Sequence, residues 1–259
     1  MPVERRVEGI AVFGIAGMAP NGIGPALGEV MIGRAGYRGL FLTAGAFAAL
    51  SVVLTLLLPR DGRRVEEAGG AVRVREMARV LRRGGLLTVM VATVLFGAGV
   101  NAAFFFVAPY TRDLGIERAA PFFGAYAATT ILLRLFGRRL PDRLGPERIV
   151  VPAFAVFALG LAALTLLPAP GVLVVAGVAC GAGHGTLFPV LNGLAVIRTP
   201  PRLHGTIVSL YTAALDGGAV LGTPVCGAIA ELAGYRAMFA TMAAMSLAGL
   251  ASMWMDARR

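Results

Sequence analysis

The sequence predicts an all-α, polytopic membrane helical bundle with about eight transmembrane helices. Hydrophobic residues make up 57% of the 259 residues and charged residues only 15%, whereas a soluble domain usually carries about 25% charged residues. Eight apolar segments approach the roughly 20 residues that a membrane-spanning helix needs. A sequence motif near the N-terminus also recurs near the C-terminus, which indicates an internal duplication.

The eight apolar segments are separated by short stretches that contain most of the arginines. Their predicted bounds are about Gly9–Met31, Gly39–Leu58, Leu86–Tyr110, Ala119–Gly137, Ile149–Leu167, Gly171–Val196, Gly205–Ala230 and Ala237–Met255. The first segment is the least regular, because it contains two prolines and many glycines. The even number of segments predicts that both termini lie on the same side of the membrane.

The internal repeat consists of several landmarks that recur at a nearly constant offset. Residues 35–38 and 233–236 both read Ala-Gly-Tyr-Arg, and an Arg-x-x-Gly, a Pro-x-x-Gly and a Phe recur around them, offset by 196 to 199 residues. A parallel repeat in an apolar chain is typical of transporters built from two duplicated halves. Because the first copy begins close to Met1, we expect most of the first half to lie upstream of this sequence.

The arginines predict the orientation of the chain. Eighteen of the 24 basic residues, all of them arginine, fall on one side of the predicted spans, and five fall on the other. Positively charged loops stay in the cytoplasm, so both termini are expected there. Membrane orientation therefore accounts for the arginines behind the net charge of +10. Nucleic-acid binding is not indicated, because no surface that combines aromatic and basic residues is visible.

Residues 59–85 form the longest polar segment, which divides the chain into residues 1–58 and residues 86–259. Val74, Met77 and Leu81 recur at helical spacing with arginines between them, a pattern that predicts a short helix on the cytoplasmic surface. This segment is therefore expected to be a cytoplasmic loop joining two helical bundles.

Polar residues are distributed among the spans with a period of three. The second, fifth and eighth spans contain no Asn, Gln, His, Asp, Glu or Arg, so we expect these three helices on the outside of the bundle. The other spans carry Asn21 and Glu29, Asn101, Arg134, His184 and Asn192, and Asp216.

His184 and Asp216 are predicted to lie near the middle of the membrane, each roughly 16 to 18 Å from the cytoplasmic end of its span at about 1.5 Å per residue. A buried charge there is costly unless it pairs or takes a proton, so both are candidates for a proton or substrate site that they share. Asn101 and Asn192 are candidates for hydrogen bonds to substrate. Each has a structural alternative: His184 as a packed core histidine, and Asp216 as part of a helix–helix pair.

Arg134 and Glu29 lie about one turn from opposite membrane surfaces, where structural roles are the stronger expectation. The pairs Gly24 and Gly28, Gly181 and Gly185, and Gly218 and Gly222 each place two small residues on one helix face, which favours close helix packing. The two cysteines lie in apolar segments without metal-ligand spacing, so we expect no metal site and no cofactor.

The segment between the fourth and fifth spans reads Gly-Arg-Arg-Leu-Pro-Asp-Arg-Leu-Gly-Pro-Glu-Arg over residues 137–148. It resembles the cytoplasmic loop motif of the major facilitator superfamily of transporters. The matching positions are Gly137, Asp142, Arg143, Gly145 and Arg148. The resemblance implies that these residues hold the cytoplasmic ends of neighbouring helices together and govern conformational switching.

A second, partial match is Gly24-Pro25-Ala-Leu-Gly28-Glu29, which resembles the fifth-helix motif of proton-coupled exporters in the same superfamily. Pro20 and Glu29 stand where that motif has glycine, which weakens the assignment to antiporters. The resemblance implies a helix-packing or gating role for this segment. Gly181 to Pro189 and Asp216 resemble the tenth and eleventh helices of small-solute and drug or sugar efflux members.

The resemblance equates the eight spans with the last eight of twelve helices. Residues 1–58 would be the last two helices of the N-terminal bundle, and residues 86–259 the six-helix C-terminal bundle. The implied function is secondary active, proton-coupled efflux of small organic solutes by alternating access, in the cell membrane and with no cofactor. Its partners would be the lipid bilayer, a small-molecule substrate, a proton and the missing N-terminal helices.

Other classes of function stay open at this point. With four helices missing, the alternatives are an inactive fragment, a subunit that needs a partner, and a membrane scaffold or sensor without transport activity. An enzyme is not expected, because the sequence contains no phosphate-binding loop, no His-Glu-x-x-His and no nucleophile elbow.

Overall fold

The computed structural model describes residues 6–57, 80–81, 85–137 and 144–258, with the side chains of residues 6–23, 25 and 26 outside the described set. Six long α-helices account for most of these residues: α1 (Arg6–Leu57), α2 (Leu86–Asp113), α3 (Ala120–Phe136), α4 (Pro146–Ala163), α5 (Val172–Ile197) and α6 (His204–Ala257). Short 3₁₀ turns, Leu164–Leu166 and Pro201–Leu203, follow α4 and precede α6.

Helices α1 and α6 are each divided by one glycine with non-helical backbone angles. Gly36 has φ 63° and ψ −173°, and Gly234 has φ 83° and ψ 165°. Only glycine adopts this region without strain, so each glycine reverses the chain within a single residue. We call the segments on either side α1a (residues 6–35) and α1b (37–57), and α6a (204–233) and α6b (235–257). The described residues thus contain eight long helical segments, which confirms the predicted all-α fold with about eight helices.

The predicted spans agree with these segments to within a few residues at most ends, but two connections differ from expectation. The sequence suggested polar loops at residues 32–38 and 231–236, whereas the structure continues the helices up to Gly36 and Gly234. Both copies of Ala-Gly-Tyr-Arg therefore mark a tight turn. Five helical stretches of the described chain are long and apolar enough to cross a membrane, with Leu27–Leu57 and Pro201–Ala257 each counted as one, and Ala120–Phe136 is a shorter apolar helix.

Helices α2 to α6 form one bundle, in which α2 packs most extensively on α6, and α5 packs on both α3 and α4. Glycines allow the closest approaches. A Cβ added to Gly97 would overlap the carbonyl oxygen of Leu215, and one added to Gly218 would overlap that of Val94. Helices α2 and α6a are therefore in backbone contact, as the predicted pairing of Gly218 with Gly222 requires.

The contact between α3 and α5 is built in the same way. Gly177, Gly181 and Gly185 of α5 face Phe122, Tyr126 and Thr130 of α3, so that both helices advance by four residues from one contact to the next. This regular spacing confirms the predicted packing role of Gly181 and Gly185. The hydroxyl of Thr130 also donates a hydrogen bond to the carbonyl of Gly181 at 3.0 Å.

Helix α1 lies apart from the bundle and packs on it mainly through α3. The most apolar window of its second half is not buried at all, which agrees with the outer position predicted for the second span. The fifth and eighth spans, α4 and α6b, pack on each other where Gly249 meets the ring of Phe154. Each also keeps an exposed apolar face, which includes Leu159 on α4 and Trp254 on α6b. That these three helices avoid a central cavity stays a prediction.

Candidate functional site

His184 lies in the interior of the bundle and is only 5% exposed. Its Nδ1 shares a hydrogen bond with the hydroxyl of Tyr126 on α3. Its ring meets Phe96 of α2 edge-on, with 5.4 Å between the ring centroids, and Phe188 one turn along α5 at 6.0 Å. The ring therefore joins α2, α3 and α5, which is the arrangement of a packed core histidine.

The cluster around His184 continues toward the predicted cytoplasmic side. The guanidinium carbon of Arg134 lies 5.3 Å from the ring centroid of Phe188, within the range of a cation–π interaction. Phe188 also contacts Tyr211 of α6, whose hydroxyl donates a hydrogen bond to the Phe188 carbonyl at 2.9 Å. Arg134 thus lies against the ring of Phe188, which brings the end of α3 together with α5.

Asp216 lies in a different environment from His184. It is exposed on α6a, twelve residues after the helix begins and eighteen before Gly234, and no hydrogen bond or ion pair within the described residues engages its carboxylate. The expectation that Asp216 and His184 share one network is therefore wrong for this structure. Equal depth on neighbouring helices did not place them together, because α6a presents Asp216 outward while α5 presents His184 inward.

Asp216 belongs to a polar stripe on the outer face of α6a. Ser209, Thr212 and Thr223 recur at spacings of three, four and seven residues around it, which places all four on one side of the helix. The hydroxyls of Ser209 and Thr212 donate to carbonyls of their own helix, at 3.2 and 3.1 Å. Their oxygen lone pairs stay available to a molecule on that side.

The two asparagines differ in how their amides are engaged. Asn101 is half-buried, and its Nδ2 donates to the carbonyl of Gly97 on the same helix at 2.9 Å. The Oδ1 of Asn192 is buried and has no hydrogen-bond partner among the described residues. Asn192 therefore has an unused acceptor inside the bundle, whereas Asn101 has already used a donor locally.

The predicted cytoplasmic loop motif is described only at its edges. Asp142 and Arg143 lie outside the described residues. Gly137 follows the last residue of α3, Gly145 precedes α4 with φ 85°, and Arg148 is exposed in the first turn of α4. The glycines thus terminate the helices on either side, and the charge interactions expected of the motif stay a prediction.

Sequence reasoning missed a charge cluster centred on Arg198, directly after α5. Its guanidinium contacts Asp256 near the end of α6b, Glu147 in the first turn of α4 at 3.1 Å, and the carbonyl of Gly85 before α2 at 3.1 Å. The side chains of Arg198 and Asp256 are only 13% and 11% exposed. One arginine therefore ties together four helix ends on the predicted cytoplasmic side. The sequence signal was weak, because the three partners lie far apart along the chain.

The residues of the partial exporter motif occupy α1a. Pro25 is outside the described side chains, a Cβ added to Gly24 would meet nothing within 4 Å, and Gly28 faces only Leu40 of α1b. Close packing through Gly24 and Gly28 is therefore not seen against the bundle. Glu29 is half-buried, and its Oε1 accepts a hydrogen bond from the backbone amide of Ala119 at 3.2 Å. Glu29 is thus engaged by the first amide of α3.

The described part of the chain contains no cluster of three or more His, Cys, Asp or Glu side chains that would hold a metal ion. Helix arrangement alone does not identify a function, so the family of the chain is decided by sequence comparison. The sequence model of the Major Facilitator Superfamily matches residues 1–223 and, in a second overlapping match, residues 122–259. The chain belongs to the Major Facilitator Superfamily. It is therefore a multi-pass membrane protein of a family of transporters, as the loop motif indicated.

Curated relatives in the superfamily are distant in sequence. The chain is 24% identical over 266 residues to multidrug resistance protein MdtG of Salmonella paratyphi C, and 25% identical to MdtG of Citrobacter koseri. Both comparisons cover 100% of this chain and 66% of the relative. An uncharacterized MFS-type transporter of Salmonella typhimurium, STM4428, is 28% identical over 82% of this chain and 56% of its own length. The chain thus spans about two thirds of the length of the MdtG proteins it matches.

Proposed function

We propose that this chain works as the C-terminal part of a secondary active transporter that exports small organic solutes, with a proton gradient as the energy source. Four further helices would precede α1 and complete the N-terminal bundle. The chain would lie in the cell membrane with both termini in the cytoplasm. Superfamily membership and the multidrug resistance for which the MdtG relatives are named support efflux as the direction and drug-like compounds as the substrate class.

The observation that carries the proposal is the polar stripe on α6a with Asp216 at its centre. An ionisable group at the middle of a membrane is costly against lipid and is normally found facing a water-filled path. Asp216 is exposed on the bundle surface formed by α2 to α6, and Ser209 and Thr212 flank it. We infer that this face borders the substrate path, and that Asp216 takes up and releases the coupled proton.

His184 and Asn192 have supporting roles in this proposal. The hydrogen bond to Tyr126 fixes the imidazole of His184, so we assign it to positioning α3 against α5. The free Oδ1 of Asn192 is the acceptor best placed inside the bundle to meet a substrate donor. Alternating access would follow from rocking of the two bundles about their common interface.

The proposal is tested in proteoliposomes with a version of the chain carrying four N-terminal helices supplied from a relative. Asp216→Asn should abolish accumulation of a cationic dye against its gradient when a pH gradient is imposed, while exchange of labelled for unlabelled dye continues. Glu231→Gln is the matched control, because Glu231 is an exposed carboxylate on the same helix near its far end. Full pH-driven accumulation by Asp216→Asn would remove Asp216 from the coupling site.

A second candidate is a chain that acts only with a partner, and the exposure of α1 favours it. Four apolar side chains of α1b are each at least 70% exposed, because this helix has few neighbours in the chain: Phe41, Leu42, Leu56 and Leu57. The chain alone should fail to accumulate dye under both candidates. They differ when the four preceding helices are co-expressed as a separate polypeptide, which should restore accumulation under this second candidate, whereas the first expects accumulation only when those helices belong to the same chain. Activity of the chain alone would contradict this candidate.

A further inference from the structure

Helix α3 begins without a cap of its own. Its N-cap residue is Ala119, which offers no side-chain acceptor, and its first turn contains no acidic residue. Helices usually satisfy the first amides with a Ser, Thr, Asp or Asn at the N-cap, often aided by a Glu three residues later that accepts from the N-cap amide. In α3 that third position is Phe122, a fully buried side chain at the contact with Gly177 of α5. Packing thus excludes a capping residue there.

Glu29 supplies the missing acceptor from another helix. Its Oε1 accepts the hydrogen bond of the Ala119 amide at 3.2 Å, across 90 residues of sequence. The carboxylate also lies at the positive end of the α3 helix dipole, where a negative charge is favourable. It occupies the role that a Glu in the first turn has in a capping box, but it comes from α1.

The two helices joined by this contact belong to different bundles of the proposed transporter. In the proposed transporter α1 belongs to the N-terminal bundle and α3 to the C-terminal bundle, and α1 packs on the described bundle mainly through α3. The contact lies at the end of the molecule that carries Gly36, the predicted non-cytoplasmic side. Separating the bundles at that side would leave both the carboxylate and the α3 amide to water.

The geometry points to Glu29 as a positioning residue of alternating access, which holds the non-cytoplasmic side closed by capping α3 from the opposite bundle. This inference rests on the two-bundle arrangement of the proposed function. It adds a contact that the partial exporter motif does not contain, because the motif has glycine where this chain has Glu29. Breaking the contact should shift the chain toward a state open on that side, without removing a proton or substrate group.

The test uses the full chain in lipid nanodiscs, with hydrogen exchange and a spin-label distance as the two readouts. Labels at Tyr37→Cys and Arg112→Cys report the separation of α1 from the bundle, since both residues are exposed near this end. The native Cys180 and Cys226 are buried and are replaced by alanine for labelling. Glu117→Gln is the matched control, because it removes an exposed carboxylate two residues from Ala119.

Glu29→Ala should speed amide exchange in the first turn of α3 about tenfold, the factor at the low end for the loss of one hydrogen bond to a charged group, and should lengthen the label distance. Glu29→Gln, which keeps an acceptor but loses the charge, should fall between Glu29→Ala and the wild type. Exchange in α4 and α5 should stay unchanged in all variants, which distinguishes release of the contact from unfolding.

The inference would be overturned if Glu29→Ala had the same amide exchange rate and the same label distance as the wild type. It would also be overturned if Glu117→Gln had an equal effect, because that result would indicate a general effect of charge. The readouts need no transported substrate. A failure of the Asp216 assay with a positive result here would therefore refute proton coupling through Asp216 and leave the role of Glu29 intact.

Discussion

Helices α1 and α6 contain the same motif and bend in the same way, yet they differ sharply in what they contact. Gly36 and Gly234 adopt nearly the same non-helical angles within the two copies of Ala-Gly-Tyr-Arg. Around the second copy, the ring of Tyr235 stacks on Tyr110 with centroids 5.1 Å apart, and Phe239 is completely buried. Around the first copy, the equivalent Tyr37 and Phe41 are 58% and 72% exposed.

The difference shows which properties the repeated residues determine locally. The chain reversal depends on one glycine with an unusual backbone conformation, so it forms in both copies whatever surrounds them. Burial depends on neighbouring helices: α6 has α2 and α4 beside it, whereas α1 is packed mainly on α3. A repeated sequence thus specifies a repeated turn, and the partners of each copy determine its stability.

The largest expected contrast is between the two phenylalanines of the repeat. Phe239→Ala should destabilise the folded chain by about 3 kcal/mol, the low end of the range for loss of a core phenylalanine. The low end applies because burial of a ring between helices gains little over its contact with lipid, so mainly the packing is lost. Phe41→Ala should change stability little, because its ring has few protein contacts. Thermal unfolding in detergent, followed by circular dichroism, checks both, and equal losses of stability would break the comparison.

A second contrast concerns the paired glycines of the two hairpins. A Cβ at Gly222 would lie 2.8 Å from the Cβ of Ala98 and 3.1 Å from its Cα, so Gly222→Ala must push α6a from α2 at a cost of about 2 kcal/mol. Gly24 has nothing within 4 Å, so Gly24→Ala should be neutral or slightly stabilising through helix propensity. Destabilisation by Gly24→Ala comparable to that of Gly222→Ala would show that α1a is packed closely in the native protein.

The smallest contrast is expected at the turn glycines themselves. Gly36→Ala and Gly234→Ala should each cost about 1 kcal/mol, because both place a side chain in a conformation suited to glycine and neither Cβ meets a neighbour. The two losses of stability should agree within error in the same unfolding assay. A much larger cost at Gly234 would indicate that burial, and not the backbone, determines the turn.

Most of the fold could be predicted from the sequence because it depends on local properties. Apolar length determined the spans, and the glycine pairs at Gly181 and Gly218 predicted close helix contacts that the structure contains. The joining of the first two and last two spans across a single residue was missed. The polar, arginine-containing stretches around Gly36 and Gly234 indicate loops, and composition does not show that one glycine can reverse the chain between two helices.

The candidate site was only partly predictable, because it depends on the direction in which each side chain points. Depth along a helix follows from counting residues, but counting does not give rotation about the helix axis. That rotation directs His184 inward to Tyr126 and leaves Asp216 exposed. The partners of Arg198 and Glu29 lie on distant segments, so only the assembled helices reveal them.

Side-specific labelling tests most directly the central claim, that α1 and α6 are parallel copies of one hairpin. Arg38→Cys and Arg236→Cys each place a thiol at an exposed position beside a turn, and the native cysteines are buried. We predict that a membrane-impermeant maleimide added outside intact cells labels both variants, whereas Arg202→Cys reacts only after the membrane is permeabilised. Labelling of one turn from outside and the other only from inside would mean that the hairpins are inverted, and would contradict the account.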